Sequence, residues 1–169
     1  MKTAYSAPDL IKLAIAMEEG GRALYERFER ETKDERLKQT WLLLRRQEIE
    51  HAAEFKKILR SLELSQPAES CSAEASPFQR AVAASSVIMG TRLARTSASA
   101  VLSDLEALEL AMAVEKDTIF TYMSMKDLVL GDRSGILDKI LEEERSHLVQ
   151  LSDLLDSQPD RFPKPMDLG

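Results

Sequence analysis

The chain has 169 residues, 44% of them apolar and 31% charged, enough for one packed core and too apolar for disorder over most of its length. A net charge of −6 without a basic run argues against nucleic-acid binding, and 5% aromatics argue against a β-sandwich or barrel. One cysteine, Cys71, excludes an internal disulfide framework and any CxxC metal or redox pair.

Residues 1–9 are polar and carry no apolar signal-peptide core, and no apolar run approaches the roughly 20 residues that span a bilayer. The expectation is a cytoplasmic protein with no membrane partner. The first helical stretch runs from Pro8 to Thr32, with Ser6 as N-cap and a stripe of Ile11, Ala14, Gly21, Tyr25 and Phe28. The second runs from Asp34 to Leu62 on Leu37, Trp41, Leu44, Phe55, Ile58 and Leu62. Almost nothing separates the two, so they should form an antiparallel hairpin. Residues 63–77 read as a loop, and the Ala- and Ser-rich stretch from Phe78 to Leu102 as partly helical.

Ser103 and Glu106 form an S-x-x-E capping box that opens a third helix running to Leu130, with Gly131 as its stop. Its stripe is Leu105, Leu108, Met112, Ile119 and Tyr122. A fourth helix runs from Ser134 to Asp156 on Leu137, Ile140, Leu151 and Leu154. The layout is all-α, a ferritin-like four-helix bundle made of two helix hairpins joined by a long crossover. Residues 1–157 form this single bundle, with hairpin 8–62, crossover 63–103 and hairpin 104–156, and a Pro-rich tail follows over 158–169.

Each apolar stripe is interrupted by ionisable residues at positions where a core residue belongs. The second stripe takes in Glu48 and His51, and the fourth takes in Glu144 and His147, so Glu-x-x-His occurs twice and uses both histidines of the chain. The first stripe contains Glu18 and the third Glu115, each followed seven residues later by a tyrosine, Tyr25 or Tyr122. Glu48 to Glu144 and His51 to His147 are both 96 residues, and Glu18 to Glu115 is 97, so the chain looks like a duplicated hairpin.

Three-residue spacing puts the Glu and the His of each pair on one helix face. Four carboxylates inside a bundle would be prohibitive uncompensated, because a buried unpaired charge costs several kcal/mol and like charges repel. Two divalent cations remove that cost. Each could take one imidazole, one terminal carboxylate and a share of two bridging carboxylates, with positions left open for a small oxidant. Such a donor set suits iron or manganese, and zinc also occupies sites of this kind.

The segments AMEEGGRALY (16–25), RQEIEHAAEF (46–55), AVEKDTIFTY (113–122) and EEERSHLVQL (142–151) resemble those of the ferritin-like di-iron carboxylate proteins, and more closely the rubrerythrin family. The resemblance covers all four helices. It implies two iron ions, with Glu18 and Glu115 as terminal ligands, Glu48 and Glu144 as bridging ligands, and His51 and His147 as one imidazole per ion. The family commonly forms homodimers, so a homodimer is expected. Rubrerythrins proper also carry a rubredoxin domain with two CxxC pairs, and a further carboxylate three residues after the third-helix ligand. This chain has no CxxC pair, and Thr118 stands at the second place.

The function expected is therefore a di-iron oxidoreductase that reacts with O₂ or peroxide and takes electrons from a separate donor protein. The alternatives are a ferroxidase or iron-handling protein, and a non-catalytic bundle stabilised by metal. Tyr25 and Tyr122 read as core aromatics with satisfied hydroxyls, the alternative being partners of the site or radical relays. Trp41 reads as packing, Gly21 as a slim backbone beside the site or an aid to helix contact, and Glu19, Glu50, Glu142 and Glu143 as solvated surface acids.

Overall fold

The computed structural model describes residues 6–65, 76–86, 102–126 and 134–158, and every regular element among them is an α-helix. Helix α1 spans Ala7–Glu31. Ser6 caps it as expected: its hydroxyl accepts the Asp9 N–H while the Asp9 carboxylate accepts the Ser6 N–H, so two otherwise orphaned donors are satisfied reciprocally. Residues 32–34 turn the chain, and the Asp34 carboxylate accepts the N–H groups of Arg36 and Leu37 at 2.7 and 3.3 Å to open helix α2, Glu35–Ser65. The short link makes α1 and α2 antiparallel neighbours, which pack closely along their length.

Helix α3 is a feature of the crossover, helical from residue 77 through 86. Ser76 and Gln79 cap its start reciprocally, Val82 and Ala83 are buried, and the Gln79 side-chain amide donates to the Ser124 carbonyl at 2.8 Å. Helix α4 spans Asp104–Met125 behind the predicted Ser103–Glu106 capping box, and helix α5 spans Ser134–Asp156. The hairpins join through α1 against α4 and α2 against α5. The predicted Gly131 stop, Cys71 and the 159–169 part of the tail lie outside the described residues. No helix among the described residues is long and apolar enough to cross a membrane.

Two expectations are corrected. Helix α4 ends at Met125, short of Leu130, where the Lys126 N–H turns back to the Met123 carbonyl in a tightened last turn. Its buried face is also rotated. Leu105, Met112 and Ile119 are only half-buried, whereas Ala107, Ala111, Thr118 and Thr121 are buried. Ala107 and Ala111 are buried in the core, and towards the end of α4 the cause is α3, which packs against it: the Ser86 and Thr121 hydroxyls meet at 2.6 Å, satisfying two polar groups that would be costly to bury alone.

The core forms two apolar clusters. One contains Leu10, Ile11, Phe55, Ile58, Met125, Leu137 and Ile140, and the other Leu24, Phe28, Leu37, Trp41, Leu44, Leu108 and Leu151. On α1 the sequence runs from Leu10, Ile11 and Ala14 in the first cluster to Leu24, Tyr25 and Phe28 in the second. The buried residue between them is Glu18, and the same interruption occurs on α2 and α5 at the Glu-x-x-His pairs.

Candidate metal centre

All six ionisable seam residues are buried: Glu18 1%, Glu48 5%, His51 2%, Glu115 1%, Glu144 0% and His147 2% exposed. They meet at mid-height of the bundle, between the two apolar clusters, one acid from each of α1 and α4 and a Glu-x-x-His pair from each of α2 and α5. Their donor atoms fall into two overlapping sets, Glu18, Glu48, His51 and Glu144, and Glu48, Glu115, Glu144 and His147, with the atoms of each set within 4.8 Å of one another. Glu48 and Glu144 belong to both sets, and each set has one imidazole.

Both imidazoles turn Nδ1 inward, to opposite oxygens of one carboxylate. His51 Nδ1 lies 2.9 Å from Glu144 Oε1 and 3.5 Å from Glu18 Oε2. His147 Nδ1 lies 3.1 Å from Glu144 Oε2 and 3.7 Å from Glu115 Oε1. The two rings stack with centroids 5.9 Å apart. Each tyrosine closes on the acid of the other hairpin: the Tyr25 hydroxyl donates to Glu115 and the Tyr122 hydroxyl to Glu18. Tyr25 also stacks on Trp41 with centroids 5.8 Å apart, so both tyrosines are core aromatics and direct partners of the site.

Gly21 sits where the backbone of α1 passes Glu48. A Cβ there would lie 2.5 Å from Glu48 Oε2, inside the contact distance of any real pair. The slim backbone gives this carboxylate its room.

The electrostatics show what crowding does to these groups without an added charge. Burial raises the Glu48 carboxyl well above the usual range, and the charges of Glu18, Glu144 and Glu115 raise it further. Burial likewise raises Glu115, with the Glu144 charge adding to it and His147 opposing, to about 8. Burial lowers His51, but its contacts with Glu144 and Glu18 outweigh that and raise it to about 11. His147 is raised to about 9 against its burial by Glu115 and Glu144. Glu144 is the carboxylate held low, because the two imidazoles overcome its burial. Both tyrosine hydroxyls are raised well above their ordinary value, by burial first and the neighbouring carboxylates second.

A divalent ion fits this arrangement. Glu18 Oε2, Glu144 Oε1 and His51 Nδ1 are buried with no hydrogen-bond partner, although they converge on one another. Two carboxylate oxygens and an imidazole nitrogen facing one point form a donor set for a divalent ion, which would displace the Nδ1 proton as it binds.

Glu143 is the residue that sequence patterning missed. Its place beside the seam predicts a solvated acid, but its carboxylate accepts the Nε2–H of His51 at 2.9 Å, from α5 across to α2. Glu19, Glu50 and Glu142 are exposed, as expected.

A fold and a site of this kind define a ferritin-like helical protein with a buried carboxylate–histidine cluster. Residues 9–155 match the model of the rubrerythrin family, and the chain belongs to that family. Among solved structures it is similar to a protein of Thermotoga maritima described as a ferritin-like diiron-carboxylate protein, at 23% identity and a TM-score of 0.69, covering 93% of this chain and 99% of the other. That likeness concerns the fold. No curated protein matches the chain.

Proposed function

We propose that this protein is a di-iron carboxylate oxidoreductase that reacts with O₂ or peroxide and receives electrons from a separate donor protein. The observation that carries this is the pair of overlapping donor sets, buried and sharing Glu48 and Glu144. Glu18 and His51 would hold one ion, Glu115 and His147 the other, and Glu48 and Glu144 would bridge them. When bound, a pair of iron ions supplies one-electron redox steps and Lewis acidity towards a small oxidant.

The chain's own side chains then have defined tasks. Tyr25 and Tyr122 hold a proton against the oxygens of Glu115 and Glu18 and keep both carboxylates oriented. Glu144 keeps both imidazoles turned inward, since its two oxygens face one Nδ1 each. The apolar clusters above and below exclude bulk water, which strengthens every electrostatic contact between them. The described helices hold no cysteine, and we assign electron delivery to a donor outside this bundle.

One observation favours a second reading, iron oxidation and transfer. Thr118 is buried at the place where rubrerythrins proper carry a further carboxylate, so the site lacks that alternative ligand for peroxide chemistry. A single experiment separates the two: metal analysis of protein expressed with ample iron, and spectra of the anaerobically reduced protein before and after one equivalent of peroxide. Two irons per chain with a spectrum changed by peroxide are expected. An unchanged spectrum with two irons loaded overturns the oxidoreductase reading, and many irons per chain support iron handling.

A further inference from the structure

The duplicated frame that relates Glu48 to Glu144 and His51 to His147 also relates Gln47 to Glu143, again 96 residues apart. At this place the two halves differ in chemistry. Glu143 is ionisable and accepts from His51 Nε2 at 2.9 Å, while Lys139 Nζ holds its other oxygen at 3.5 Å. Gln47 is a neutral amide, and His147 Nε2 is buried with no hydrogen-bond partner among the described residues.

We propose that Glu143 is a positioning residue that makes the His51 half of the centre the tighter of two unequal metal sites. The contact with Glu143 keeps a proton on His51 Nε2, so when an ion displaces the other proton it is Nδ1, facing Glu144 and Glu18, that offers its lone pair. Fixing that tautomer and ring angle spares the imidazole a rearrangement on binding, and the negative charge raises its basicity as a ligand. His147 receives neither benefit. The two halves therefore share a ligand set but differ behind the imidazole. The inference rests on the metal-centre reading above and adds an order of affinity to it.

The test is calorimetric titration of the metal-free protein with cobalt(II), combined with proton NMR of the zinc-loaded protein. The wild type should bind two ions in steps of unequal affinity and show a slowly exchanging imidazole N–H from His51. Glu143→Ala should weaken the tighter step by about 10- to 100-fold, leave the other unchanged and abolish that N–H signal. Glu143→Gln keeps the shape and an acceptor oxygen, so it should retain the N–H signal and lose less affinity. It also covers the case in which the alanine variant fails to fold. Equal steps in the wild type, or variants in which both steps or neither step shifts, overturn the inference and leave the metal centre standing. A wild type that takes up no cobalt overturns the centre itself.

Discussion

At the scale of single residues, Gly21 and the two tyrosines give the sharpest expectations. Gly21→Ala should gain up to about 1 kcal/mol of helix propensity, since glycine is the poorer helix former. The new methyl would displace Glu48, whose oxygen lies 2.5 Å from its ideal position. The expected result is a metal-free protein of near-wild-type stability with reduced iron per chain after reconstitution. Tyr25→Phe keeps the stack on Trp41 and removes only the hydroxyl donated to Glu115. Leaving that buried oxygen unsatisfied should cost about 1–3 kcal/mol, measured by urea unfolding of the metal-free protein, and Tyr122→Phe should behave alike through Glu18.

The six acidic and imidazole residues were legible from sequence because each sits at a seam position that apolar neighbours define independently. Glu143 was not legible. It stands one residue off the seam and is half-buried, and its role depends on which face of α2 it meets across the bundle. The duplicated spacing held a signal, the Gln47–Glu143 difference, but periodicity alone attaches no meaning to it.

At the scale of elements, the caps dominate where helices begin. Ser103→Ala removes the acceptor of the Glu106 N–H and the hydroxyl that donates to the Glu106 carboxylate, leaving only the backbone N–H of residue 103 on that carboxylate. It should lower stability by about 1 kcal/mol, read from the urea midpoint with an unchanged slope. Helices α1 and α2 were readable to within a few residues because their caps and stripes agree with their packing. Helix α4 was readable in its start but not in its face. Its propensity and pattern allow several rotations, and α3 selects one through Ser86, Thr121 and Gln79, a contact between segments 35 to 45 residues apart. The α3 segment itself, rich in Ala and Ser, has too weak an apolar stripe to fix its extent.

At the scale of the molecule, the donor set should cost the metal-free bundle stability. Four buried carboxylates and two imidazoles occupy positions that Leu would fill, so the metal-free protein carries a penalty that bound cations remove. Chelation should lower the thermal midpoint. Replacing Glu18, Glu48, His51, Glu115, Glu144 and His147 together by Leu or Met should raise the midpoint above that of the chelated wild type, with no metal response. A variant that unfolds instead would mean that the six groups hold the bundle together by themselves.

The exchange of tyrosines between hairpins has a consequence for the chain as a heritable object. Tyr25 serves Glu115 and Tyr122 serves Glu18, and both donor sets draw on both hairpins, so neither repeat is self-sufficient. Severed between residues 66 and 75, the two fragments should each fail to take up iron and should regain it when coexpressed, as two gene products complement one another. An ancestor one repeat long could have worked only as a pair of identical copies, and fusion would then have freed each copy to diverge at places such as 47 and 143.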